Sequence, residues 1–178
     1  MRGTYTIIVE NRYDGYMAFG RLGKTKLRTG TYLYTGSAMG SGSTSLEQRL
    51  RRHGARNKTI RWHIDYLTSR RDCRVVGAVY VVSDRRFECQ ANLSLAKELK
   101  LPTPLPKIGA SDCKCSGHLL GPELHLSRRA LAKRLVKVYR HLARSDASSR
   151  VVVQIGCASS HRFWNASLKI LMSPWFLV

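Results

Sequence analysis

Acidic residues are scarce in this chain. Only 11 Asp and Glu stand against 31 Lys and Arg in 178 residues, a formal charge of +20. A site built from clustered carboxylates, as a two-metal nuclease needs, is therefore hard to assemble. Long apolar runs are missing as well. No stretch approaches the ~20 residues of a membrane span, although 43% hydrophobic residues suffice for a core. No long segment pairs Lys and Arg with a continuous apolar face, which argues against a membrane-surface helix. The N-terminus lacks a charged stretch followed by an apolar one, so no signal peptide is expected. Five cysteines in irregular spacing make no disulfide framework. They suit a reducing, cytoplasmic compartment.

Positive charge is abundant. It attracts polyanions over a Debye length of about 8 Å at physiological salt. Neutralising phosphates releases condensed counterions, so nucleic acid is the expected partner and no membrane is. DNA is the first choice, with RNA behind it, and a nucleoid-associated place in the cytoplasm follows.

The chain mixes strands and helices without a βαβ rhythm, which favours α+β. Thr4–Glu10, Thr31–Thr35, Val75–Val82 and Val151–Ile155 read as strands. Residues 16–28 read as a hairpin or loop pair around Gly23. The Gly/Ser loop Met39–Ser45 precedes a helix that ends near Gly54, with Ser43 or Thr44 as its N-cap. Ile60–Ser69 and Phe87–Leu99 carry helical spacing, and residues 109–121 form a Gly/Cys/His loop. Ser127–Arg144 is a basic helix with Leu131, Leu135, Val138 and Leu142 in one stripe. A short helix is expected over Phe163–Leu171. The division is a domain over residues 1–122 and a basic C-terminal helical extension over 123–178.

Several segments carry chemistry. Gly3-Thr4-Tyr5 is followed about thirty residues later by Gly30-Thr31-Tyr32-Leu33-Tyr34-Thr35-Gly36. Arg49 lies on the next helix, and Glu88 opens a later one. This order resembles the GIY-YIG nuclease superfamily, with Gly3-Thr4-Tyr5 in place of Gly-Ile-Tyr and Tyr34-Thr35-Gly36 in place of Tyr-Ile-Gly. Further pieces resemble its uncharacterised archaeal and bacterial subgroup, which also occurs fused to endonuclease III. They are Leu46-Glu47-Gln48-Arg49-Leu50-Arg51-Arg52-His53, Arg61-Trp62-His63-Ile64-Asp65-Tyr66-Leu67, Glu88-Cys89 and Ser111-Asp112-Cys113-Lys114-Cys115-Ser116-Gly117-His118-Leu119. Ser37 stands where the wider superfamily often has lysine. No matching residues follow Pro122.

The resemblance implies a small central antiparallel sheet flanked by helices. It also implies a metal-dependent endonuclease, structure-selective or single-strand-preferring, acting in DNA repair or recombination. Tyr5 or Tyr34 would take the proton from the attacking water, helped by His53. Arg49 would bind the scissile phosphate; its planar fork fits a phosphate bidentately. Glu88 would hold one Mg²⁺ or Mn²⁺, an ion that needs only one or two carboxylates besides water and substrate oxygens. Arg51, Arg52, Lys58, Arg61 and His63 would hold the strand, and Trp62 would stack on an unpaired base. Asp65, Asp112, Cys113 and His118 would border the site. The pair Cys113-Lys114-Cys115 with His118 hints at zinc, but one intervening residue and three local ligands disfavour it. Cys89, Cys157 or His161 would have to complete the set. The alternative to an enzyme is a non-catalytic nucleic-acid-binding module on the same fold.

Overall fold

A computed structural model of the chain describes residues 1–146, 148–155 and 170–171. Eight strands are present among the described residues: β1 (Gly3–Asn11), β2 (Gly15–Ala18), β3 (Lys24–Leu27), β4 (Gly30–Ala38), β5 (Cys73–Val82), β6 (Leu119–Glu123), β7 (Arg150–Ile155) and β8 (Ile170–Leu171). Helices α1 (Leu46–Gly54), α2 (His63–Thr68), α3 (Glu88–Leu99) and α4 (Arg128–Ala143) lie between them. The architecture is α+β: an antiparallel sheet of order β6-β4-β1-β5-β7-β8, flanked by helices, with β2 and β3 as a separate hairpin.

Side chains alternate across the pleat, and each face of the sheet has its own core. Tyr5, Ile7 and Val9 of β1 join Tyr32 and Tyr34 of β4 on one face. Leu46 and Leu50 of α1 and Ile64 and Leu67 of α2 cover them. Ile8, Leu33, Val79 and Val81 face the other way, under Ala91 and Leu95 of α3 and Leu131, Leu135 and Tyr139 of α4. Burial on both faces explains why β5 is apolar almost throughout rather than alternating. A polar cluster in the second layer is satisfied internally. Thr6 Oγ1 lies 2.9 Å from both Thr35 Oγ1 and Tyr139 Oη. Residues on both sides of Pro122 share this second core.

Some boundaries differ from the sequence reading. The N-cap of α1 is Ser45, whose side chain accepts from Gln48 N–H. Helix α2 starts at His63 rather than Ile60. Asp65 Oδ2 accepts from the backbone N–H of Arg61 and Trp62 and so stops the helix there. The Gly/Cys/His loop ends at His118, because residues 119–123 pair with β4 as an edge strand, where Pro122 is tolerated. The helix expected over Phe163–Leu171 falls outside the described residues apart from Ile170 and Leu171, which pair with β7. No helix among the described residues is long and apolar enough to cross a membrane.

Candidate active site

Where β4 leaves the sheet, the α1–α2 layer and the start of α3 leave a cleft of about 480 Å³. Tyr34, Gly36 and Ser37 of β4 form its floor. Arg49 of α1, Arg61, Trp62 and His63, Arg86 and Glu88, and the loop residues Gly109, Ser111 and Asp112 complete the lining. Three arginines against two carboxylates make it a cationic cleft, the sign an anionic substrate requires.

The two motif tyrosines have unequal places. Tyr34 lines the cleft, whereas Tyr5 is only 1% exposed and lies behind it. The register explains the glycine of the second motif. Tyr5 pairs with Gly36 across the β1–β4 ladder, and its ring covers the space a side chain would need. Gly109, at φ 70°, likewise makes room for the Tyr34 ring. Tyr5 Oη is 2.7 Å from His53 Nε2. His53 is also 1% exposed, so it reaches the cleft through Tyr5 rather than by touching water there. Burial drives both phenols above their usual range, and the Arg49 guanidinium pulls them back in part. Burial pushes the His53 imidazole down to about 3, and the Lys58 charge adds to this. Tyr5 and His53 therefore form a neutral hydrogen-bonded pair at ordinary pH, with the un-ionised Tyr34 ring edge-on to His53 at 5.9 Å.

Arg49 is held in place from two sides. Its Nη1 donates to Ser37 O at 2.8 Å, and its guanidinium stacks 4.9 Å from the Trp62 ring centroid. Arg52 stacks on Trp62 at the same distance. Trp62 is thus already packed between two cations.

Glu88 lines the cleft from the first turn of α3. Its Oε2 accepts a short hydrogen bond from Ser37 Oγ. Its Oε1 lies 3.3 Å from His118 Nδ1. Burial would raise its pKa, but the contacts with His118 and Ser37 hold it below the usual value. Ser37 thus touches both groups: its carbonyl the arginine, its hydroxyl the carboxylate. One carboxylate facing an open cleft is a donor set that suits Mg²⁺ or Mn²⁺, which keep water and substrate oxygens as their other ligands.

Other expected site residues have structural work. Lys58 has a side chain only 3% exposed; its Nζ donates to Thr68 Oγ1 at 2.7 Å and to the carbonyls of Arg52 and His53. It cannot hold a strand, because its ammonium points inward. Asp65 is fully buried and takes Arg52 Nη2 at 2.8 Å as well as the two backbone N–H groups. It caps α2 and does not border the cleft. Arg51 is exposed on α1 outside the cleft lining. Arg61, Trp62, His63 and Asp112 do line the cleft, and His63 Nδ1 accepts from Gly109 N–H at 3.4 Å. The sequence reading missed Arg86, which pairs with Asp112 at 3.5 Å. Its place two residues before Glu88 was the available signal.

The structure differs most over zinc. Cys89, the second residue of α3, meets Cys113, Cys115 and His118, and their four ligand atoms lie within 4.8 Å of one another. A long-range partner thus supplies the fourth ligand that the local spacing lacked. This is a candidate metal-binding cluster of the sulfur and nitrogen type that zinc favours, not the oxygen type of magnesium.

No curated protein and no solved structure matches the chain. Residues 4–144 match the model of one family, described as a domain of unknown function, DUF123. The match covers well over half of the chain, and the protein belongs to that family.

Proposed function

We propose that the protein is a metal-dependent endonuclease of the GIY-YIG type that hydrolyses phosphodiester bonds in DNA. The observation that carries this reading is the convergence of Tyr34, Arg49 and Glu88 on one cationic cleft, from three separate elements. Glu88 would hold Mg²⁺ or Mn²⁺, which when bound neutralises charge developing on the phosphate and the leaving oxygen. Arg49, fixed by Ser37 O and Trp62, is pre-organised to bind the scissile phosphate and stabilise its growing charge. Tyr34 orients the attacking water in the cleft. Its hydroxyl stays protonated, so it works by accepting a hydrogen bond from the water rather than as a phenolate base, and the water's proton leaves to solvent through the open cleft. Tyr5 and neutral His53 support it from behind as a hydrogen-bonded pair that stays uncharged. Arg61 and Arg86 hold backbone phosphates, which positions the strand without reading its sequence. Selection by DNA shape or single strands follows, in repair or recombination and beside the nucleoid.

A second reading is a binding module without cleavage. The observation that favours it is that Ser37 and His118 face the two Glu88 oxygens. The deciding experiment is cleavage of labelled single-stranded, duplex, flap and branched DNA with Mg²⁺, Mn²⁺ or chelator, beside Arg49→Ala and Glu88→Ala. Metal-dependent cutting lost in both variants, with binding kept by Glu88→Ala, supports the nuclease. Tight binding with no cutting on any substrate replaces it with the binding module.

A further inference from the structure

The connection from α3 to β6, residues 100–118, contains no helix or strand. Stretches of that length inside a compact domain are uncommon unless something ties them down. Its two ends are anchored. Leu101 N donates to Ala96 O at 3.2 Å at one end, and Asn92 Nδ2 donates to Gly117 O at 2.8 Å at the other. Between them, residues 111–116 make few backbone hydrogen bonds. Lys107 supplies two, from its backbone N to Ser116 O and from Nζ to Cys113 O. Yet this segment forms one wall of the cleft through Ser111 and Asp112.

The same segment supplies Cys113, Cys115 and His118 to the cluster, and Cys89 comes from α3. The three thiols are free. A tetrahedral zinc site with Zn–S bonds of ~2.3 Å has ligand–ligand edges of roughly 3.8 Å, so atoms within 4.8 Å of one another need only a small contraction. His118 presents Nε2 to this cluster, 3.6 Å from Cys113 Sγ, and turns Nδ1 to Glu88.

We propose that Cys89, Cys113, Cys115 and His118 form a closed, structural zinc site that staples the loop to α3 and, through His118, positions Glu88. Three thiolates and one imidazole fill all four tetrahedral positions, which leaves none for substrate and makes the site structural rather than catalytic. Binding releases the three thiol protons. Ligation through Nε2 leaves the proton on Nδ1, which faces Glu88 Oε1 at 3.3 Å. A carboxylate behind a zinc-bound imidazole is a recurrent second layer of such sites. His118 is thus a positioning residue, and that part of the proposal rests on the role given to Glu88 above. The site itself stands on the ligand geometry alone.

The test is metal analysis of the purified full chain by plasma mass spectrometry, followed by cobalt(II) exchange and its visible absorption. About one zinc per chain is expected, with a tetrahedral thiolate spectrum for the cobalt form. Cys89→Ala and Cys115→Ala should lose both. Glu88→Gln should keep the metal but yield it to a competing chelator about 10–100-fold more readily. Should the cysteine variants fail to fold, reactivity of the parent's thiols with and without chelator decides the matter. Three thiols must become reactive only when the metal is withdrawn. A parent chain free of zinc that takes up no cobalt overturns the site, as does undiminished zinc in Cys115→Ala. Unchanged chelator competition in Glu88→Gln overturns the coupling to Glu88. DNA cutting by zinc-free protein would sink the zinc site alone, whereas zinc-loaded protein that never cuts would sink the nuclease alone.

Discussion

Gly36 lies directly across the β1–β4 ladder from Tyr5, and a Cβ added to it would stand 2.7 Å from Tyr5 Oη and 2.9 Å from Cζ. The glycine of the second motif is therefore the seat of the tyrosine of the first. Gly36→Ala should displace the Tyr5 ring and, with it, the bond to His53. Overpacking of this kind costs about 1–3 kcal/mol. Denaturant unfolding would measure the loss, and cleavage should fall with it. A Gly36→Ala protein as stable as the parent would show that the ring does not occupy this space.

His53 should remain uncharged across the whole range in which the protein works. Its folded-state pKa of about 3 lies below the unfolded value of about 6.5. Between those values the unfolded chain binds the extra proton, so stability falls as pH drops below about 6.5 and is fully present above it. The slope from this one group is at most ~1.4 kcal/mol per pH unit. Ring resonances of His53 should not titrate between pH 5 and 8, and His53→Gln should flatten the stability profile in that window. A ring that titrates near pH 6.5 would contradict the burial described here.

How far the site was legible in the sequence depended on whether the determinants were local. The strands, α1, α3 and α4 follow from periodicity, and Tyr34, Arg49 and Glu88, singled out by motif order, line one cleft. Lys58 and Asp65 did not read correctly, because their exposure is set by each other and by Arg52 and Thr68, across two elements. The cysteine cluster was legible only as three quarters of a set. Its fourth member comes from a helix more than twenty residues earlier, and only the fold brings it near. Edge strand β6 was read as loop because its glycine and proline mask a pairing made with β4.

Asp65 should be a keystone of stability rather than of catalysis. Its carboxylate is fully buried, with Arg52 at 2.8 Å, Lys58 at 3.7 Å and two backbone donors. Burial would raise its pKa, but these donors hold it below the usual carboxylate value. The stability it contributes is present above about pH 3.9 and is lost as pH falls through the lower folded value. Asp65→Ala leaves a buried ammonium without its counter-charge and should cost about 3–5 kcal/mol. Thermal or denaturant unfolding at pH 7 reads this directly. A loss under 1 kcal/mol would mean that Lys58 and Arg52 find water or another partner.

If the protein binds DNA as proposed, two basic surfaces are open to the strand, and salt dependence separates them. One is the cleft with Arg49, Arg61 and Arg86. The other is the outer side of α4, where Arg129 and Lys133 are exposed. Arg134 and Lys137 on that helix are already engaged by Glu98, at 2.8 and 3.3 Å. Each phosphate neutralised contributes close to one unit to the slope of log affinity against log salt. If the strand runs through the cleft, Arg61→Ala should weaken binding to all sequences alike and reduce the slope by about 1. Arg86→Ala should do nearly the same. Its ion pair with Asp112 is exposed on both sides and worth little, so it does not hold the guanidinium away from phosphate. Arg129→Ala and Lys133→Ala should leave the slope unchanged. The reverse pattern would put the strand on α4, and with it the scissile bond out of reach of Arg49 and Glu88.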